Sequence, residues 1–383
     1  MARTQNSRGI AWKDPIVLTL IGLIFVALVP LSFLGYQLAH GKGGGADQDH
    51  GIVVTPTATS VPTPRPTATP TATPLPTATP TPTVVKAPLS GLEIGREWLQ
   101  QPPIIAMIPS DSEQYGLSQA SVVYEARAEH NIPRFMGIFE QVQAEQIGPI
   151  RSARKYYVEW ACPYGPLFVH WGGSPQAYAL LAELNGVCLH ELDGQEYEGV
   201  YFWRGLDPVV PWNNGFSSSE LLGQFLKDQP YLMQYQGYQH KEDAPLESRP
   251  LTGTISLSFI YSVRYTYDRE GNDYLREYKG GPHLDMLTGE QHRVKNVVVL
   301  LVPQELIPDD PKERMDIQTT GDGEALFFMD GTLIQGRWFK PAPEAEMRFF
   351  DSAGQEIAFN RGNIWIEVIA PDQAVSYELG QAP

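Results

Sequence analysis

Two cysteines in 383 residues are too few for a structural zinc site, since they form no Cys-x-x-Cys pair and stand beside no histidine cluster. Positive charge is also scarce: 28 Lys and Arg face 44 Asp and Glu, for a formal net charge of -16. Residues 1–88 hold six of those cations and three of the acids, which leaves 22 cations against 41 acids in the rest. A field of that sign repels nucleic acid and anionic lipid, so any anion the chain holds needs a local pocket. Missing too are a G-x-S-x-G elbow, an H-E-x-x-H pair and a G-x-x-x-x-G-K-S/T loop. No metal or cofactor is expected.

What is there begins with IVLTLIGLIFVALVPLSFLGYQLA, residues 16–39, which are 24 consecutive uncharged positions. As a helix they span about 36 Å, enough for a bilayer. Arg3, Arg8 and Lys13 precede the run, and only His40 and Lys42 closely follow it. The positive-inside bias therefore puts residues 1–15 in the cytoplasm, makes 16–39 a transmembrane signal anchor and leaves the rest outside a single-pass cell-membrane protein. A cleaved signal peptide is the alternative, but the run exceeds a typical apolar core and no small-x-small site closes it. Residues 40–87 read as a stalk. Their Thr/Pro tract, residues 55–83, has no apolar face, and as polyproline II it reaches about 90 Å.

The extracytoplasmic part divides by pattern. Over residues 88–229, PIIAMIPS reads as a buried strand, ASVVYEARAE and RFMGIFEQ as a hairpin across HNIP, GPLFVHW as a strand and PQAYALLAEL as a helix. SSSELLGQFLKD opens another helix, in which Ser217 and Glu220 have capping-box spacing. Residues 230–249 are largely polar and read as a linker. Residues 250–375 alternate as strands separated by DREGN, Asp-Gly, Ala-Gly and Arg-Gly turns. The expected fold class is α+β: a mixed α/β head domain, then a β-rich domain.

Two places can carry chemistry. Arg151, Arg154 and Lys155 crowd the expected first turn of the helix after GPI, where the macrodipole disfavours cations by about 0.3–1 kcal/mol each. Either the two arginines converge on a carboxylate or phosphate, or they pair with internal acids such as Glu125, Glu129 or Asp207. In HWGGSPQAYALLAEL, Ser174 is a natural N-cap, Pro175 is the favoured first helical residue, and Gly172 and Gly173 let the backbone bend with its amides exposed. That junction is either a well-capped turn or, with His170 at the strand end, an anion site shared with the arginines. Ser174 as a nucleophile with His170 as its base is a sharper reading, though capping already accounts for the serine. For Cys162 and Cys188, an oxidising compartment and an even count predict one disulfide, two separate buried thiols being the alternative.

LSQASVVYEARAEHNIPRFMGIF, IGPIRSARKYYVEWA and HWGGSPQA together resemble the N-terminal domain of the YerB-like lipoproteins, a two-domain bacterial envelope family of unassigned function. GGPHLDMLTGEQHRVKNVVVL and GDGEALFFMDGTLIQGRWFK resemble that family's C-terminal domain. The resemblance implies that Arg151, Arg154 and the His170–Pro175 junction are family motifs. Two departures stand out. The first cysteine is Cys162, so no lipobox cysteine precedes the head, and membrane attachment falls to the helix. PWNNGFSS replaces a P-H-N-L-Y-like segment, which puts Trp212 at the histidine position and leaves Trp212 and Asn213 as pocket lining without a catalytic role. The expected function is an envelope binding or accessory module for an anionic cell-wall ligand or a protein partner. The alternative is an envelope hydrolase or transferase using His170 with Arg151 and Arg154.

Overall fold

Runs that are apolar on both alternating faces demand burial on both sides, and IIAMIP, VVYEAR, NVVVLL and IWIEVI, with few polar residues among them, all find it at the centre of one sheet. A computed structural model describes residues 83–205, 212–230, 232 and 235–381. The expected anchor at 16–39, most of the stalk and Asp207 lie outside these residues. Among the described residues no helix is long and apolar enough to cross a membrane. The last stalk positions, Val84–Lys86, pair with Glu93–Gly95, so the folded head begins inside the segment read as stalk.

The main sheet takes ten strands: β1 Ile104–Pro109, β2 Val122–Arg127, β3 Pro133–Phe139, β4 Leu167–His170, β5 His190–Asp193, β6 Asn296–Leu301, β7 Gly321–Met329, β8 Thr332–Lys340, β9 Arg348–Asp351 and β10 Ile364–Ile369. Their spatial order is β9-β8-β7-β6-β10-β2-β3-β1-β4-β5. Three α-helices occur among the described residues, α1 Lys155–Ala161, α2 Pro175–Leu184 and α3 Ser219–Leu226, and strand predominates throughout. Strand side chains alternate, so the sheet sorts its residues into two cores. Met107, Tyr124, Met136 and Ile366 pack with Tyr156, Tyr157, Trp160 and Leu181 of α1 and α2. Val123, Phe135 and Trp365 pack instead against Leu257, Val263, Tyr265 and Tyr274, which belong to a second sheet built mainly from Gly253–Ser258, Ser262–Asp268 and Asp273–Tyr278.

The main sheet does not divide where the sequence pattern does. β10, from the C-terminal region, lies parallel to β6 on one side and to β2 on the other, with Glu367 in register with Glu125. The polar segment read as a linker is likewise stitched down. Gln239–Lys241 pairs with Ala358–Asn360, and Tyr238 is buried with its hydroxyl 3.0 Å from that of Tyr164.

Local signals mostly fall where the chemistry puts them. The β7–β8 hairpin turns on Asp330 and Gly331, both left-handed (φ 54° and 69°), which is the Asp-Gly requirement of a tight hairpin. The cap of α3 is one residue later than the spacing suggests: Ser218 accepts from Leu221 N, while Ser217 donates to Tyr201 O. Cys162, at the end of α1, is disulfide-bonded to Cys188, just beyond α2, with Cα atoms 5.3 Å apart.

Candidate functional site

The helix after GPI starts later than its basic residues, and this decides where they point. Arg151 donates its amide to Met107 O at 2.7 Å and accepts from Trp171 N at 3.0 Å. Arg154 is the N-cap of α1 with extended backbone (φ -130°, ψ 149°). Extended residues an odd number apart face opposite ways, so Arg151 and Arg154 do not share one helical face, and the expected convergence of the pair on one anion is corrected.

Arg154 turns to Glu129. The same carboxylate takes Arg134 at 2.7 Å and has Arg314 at 4.0 Å, and Arg314 is held in turn by Asp310 at 2.7 Å. Of the described acids weighed as partners, Glu129 is the one used. Glu125 lies elsewhere: it is fully buried on the other face of β2 and pairs with Arg276. Arg276 also bonds Tyr265 and His283, and lies 3.8 Å from Glu367. Burial and the neighbouring Glu367 carboxylate push the Glu125 carboxyl well above its usual range, with Arg276 opposing. His283 and Asp285 of the PHLD turn are buried too. Asp285 accepts the amides of Gly116 and Ser118 at 2.9 and 2.7 Å, which makes it an anchor between the two regions of the chain.

Two cavities flank the residues around Glu129. Arg154 and Arg314 line one of about 500 Å³, with Ser174 and Gln176. Glu129, Arg134 and Arg151 line another of about 530 Å³, with His130, Trp212 and Lys312. Arg151 makes no side-chain hydrogen bond or ion pair with the described residues, and its Nε is buried without a partner. Burial and the Arg134 charge push it down to about 10, with Asp111 opposing, so it stays cationic at neutral pH. Burial likewise pushes Arg154 down to about 10. Trp212 stands 63% exposed at the cavity, while Asn213 is buried and donates to Asp111 at 3.1 Å.

The HWGGSP junction has little left to offer an anion. Gly172 (φ 75°) donates its amide to Asp193 at 2.8 Å, and Ser174 donates its own to Ala153 O at 3.1 Å. Ser174 Oγ accepts from Ala177 N at 3.1 Å, the N-cap bond of α2. Gly173 bridges to Ala153. His170 is completely buried, with Nδ1 2.9 Å from Gly172 O and Nε2 3.1 Å from Glu191. It lines neither cavity, so the acid–base role and the shared anion site expected of this stretch are corrected to a pinned turn. His170, Glu191 and Asp193 approach within 4.8 Å of one another. The acids address opposite ring nitrogens, however, and Asp193 already accepts from Gly172, Gln195 and Tyr178. That trio explains how the turn is held. Ser174→Ala is therefore expected to cost about 1 kcal/mol in denaturant unfolding through the lost cap; an unchanged midpoint would remove the capping role.

Sequence reasoning missed Arg134, Arg314, Lys312 and Arg276. Two of them carry a signal in retrospect. Arg134 sits inside the otherwise apolar run PRFMGIF, and Arg276 falls on the same alternating face as Tyr274 and Tyr278, so each places a cation where the pattern buries side chains. Arg314 and Lys312 come from a polar loop with no such mark.

Fold and cavities together define a strand-rich head whose two sequence regions close one sheet and carry a buried arginine cluster. The chain belongs to the family described as "Protein of unknown function (DUF3048)", matching its N-terminal domain over residues 89–232 and its C-terminal domain over residues 255–366. It is 28% identical over 312 residues to a Bacillus subtilis (strain 168) protein described as "Putative lipoprotein YerB", an alignment that covers 78% of this chain and 90% of that one. The crystal structure of the YerB protein from Bacillus subtilis superposes with a TM-score of 0.66, covering 77% of this chain and 99% of that one.

Proposed function

We propose that this is an extracytoplasmic envelope protein, held at the membrane by residues 16–39, whose head binds a carboxylate- or phosphate-bearing envelope ligand in the Arg151 cavity. The description of its relative as a lipoprotein supports the location. The observation that carries the binding reading is Arg151 itself: a largely buried guanidinium with no side-chain hydrogen bond or ion pair among the described residues, beside Arg134 and Lys312 as well as Asp111 and Glu129, in a chain whose net charge is otherwise strongly negative. A buried cation left unpaired is costly, and an anion seated against it offsets that cost. Glu129 is already engaged by Arg134 and Arg154, which leaves Arg151 available.

Phosphate or citrate at constant ionic strength is expected to raise the melting temperature of the wild type. Arg151→Ala is expected to weaken that binding by about 1.5–3 kcal/mol, the range for hydrogen bonds to charged groups, without loss of fold. Arg151→Lys should recover only part, because it lacks the planar fork. A wild type whose melting is indifferent to these anions would reject the reading.

A further inference from the structure

The second cavity, lined by Arg154 and Arg314, is assigned no role by the reading above, and its chemistry is different. One wall is apolar, formed by Ala179 and Leu180 of α2 together with Ile307 and Met315. The rest of the lining is polar and includes Lys155, Glu183 and Asp316 beside the two arginines and Gln176. Among the described residues Arg154 and Arg314, though ion-paired through their terminal nitrogens with Glu129 and Asp310, each keep a buried Nε with no hydrogen bond, the Arg314 Nε lying 4.0 Å from Glu129, and Gln176 keeps a buried Oε1 with no donor. Arg154 is 95% buried, at 5% exposure, so bulk water is a poor substitute for a partner there. Buried polar atoms are normally paired, and three orphans among the residues of one cavity mark a place completed by something outside the chain.

Their identities specify what completes it. Two Nε–H donors on cationic groups call for an anionic acceptor, Gln176 Oε1 calls for an N–H or O–H donor, and Leu180, Ile307 and Met315 call for a short aliphatic group. Inorganic phosphate has no aliphatic part, and a fatty acid has no donor for Gln176. A volume of about 500 Å³ suits a molecule the size of a dipeptide. We propose that this cavity binds the free carboxyl end of a short peptide, with its carboxylate toward Arg154 and Arg314, its amide N–H to Gln176 and a small aliphatic side chain against Leu180 and Met315. The site is separate from the Arg151 cavity, and the inference does not depend on an anion binding there.

The test uses the full chain in detergent and three probes: N-acetyl-dialanine, the same dipeptide as its C-terminal amide, and octanoate. Calorimetric titration is expected to show saturable binding of the acid, at least about tenfold weaker binding of the amide and of octanoate, and about tenfold loss on Gln176→Leu with an unchanged melting temperature. Leu180→Trp, which fills the cavity, is expected to abolish binding, with an unchanged far-ultraviolet spectrum reporting an intact fold. Arg151→Ala is expected to leave the affinity as it is, which separates this site from the one proposed above. Equal affinity for octanoate, indifference to Gln176→Leu, loss of binding on Arg151→Ala, or no binding of the acid at millimolar concentration would each overturn the assignment.

Discussion

Arg276→Ala is expected to lower the unfolding free energy by about 3–5 kcal/mol, the cost of removing one partner from a fully buried ion pair. Arg276 has no exposed surface, and it faces Glu125 and Glu367 from the second sheet while Trp365, Tyr278 and Phe135 surround its guanidinium. Without it, two carboxylates in register on neighbouring strands remain in an apolar core. Glu125→Gln should be far milder, because it removes a charge that the site already disfavours. The two variants also differ in pH response. The folded Glu125 carboxyl titrates well above its ordinary range, so its contribution to stability is full below that range and falls as pH rises toward the folded value. Wild-type stability relative to Glu125→Gln should therefore decline between mildly acidic and neutral pH. Denaturant midpoints across that window measure it, and parallel curves would mean that the Glu125 carboxyl titrates in the fold as it does in the unfolded chain, with no upward shift.

The second large effect is expected at Glu129. Glu129→Ala leaves Arg134 and Arg154 buried without their shared carboxylate and removes a carboxylate 4.0 Å from the Arg314 Nε, so a loss of about 3–5 kcal/mol is expected. Because the deficit is one of negative charge, sulfate should restore part of the lost stability to Glu129→Ala beyond any gain it gives the wild type at equal ionic strength. Equal sulfate response in the two proteins would show that the cluster is held by packing alone. By the same geometry Arg154→Ala is a stability variant, and it differs in kind from Arg151→Ala.

Elements were more legible than partners. Hairpin signals around HNIP, the helix PQAYALLAEL with its Ser174 cap, and the Asp-Gly turn at 330–331 rest on local rules of spacing and backbone freedom, and those rules held. The arginines failed for an equally local reason. A helix predicted from GPI onward puts Arg151 and Arg154 on one face, but the chain stays extended through Arg154 because Arg151 and Ala153 pair with Met107 and Gly172. Partner identity was out of reach, since Glu129 meets Arg314 across 185 positions and Glu125 meets Arg276 across 151. Trp212 and Asn213, adjacent in sequence, part company: one rims the Arg151 cavity and the other is buried on Asp111.

The position of β10 has a bearing on how the protein is made. Its partner β2 is synthesised some 240 residues earlier, and until Ile364–Ile369 emerges that strand keeps an open edge of unpaired amides and carbonyls. Pairings so distant in sequence are slow to form, and the chain is exposed to misassociation for the whole interval. A nascent chain truncated before residue 364 is thus a half-closed sheet with a sticky margin, which stays open until the last central strand arrives.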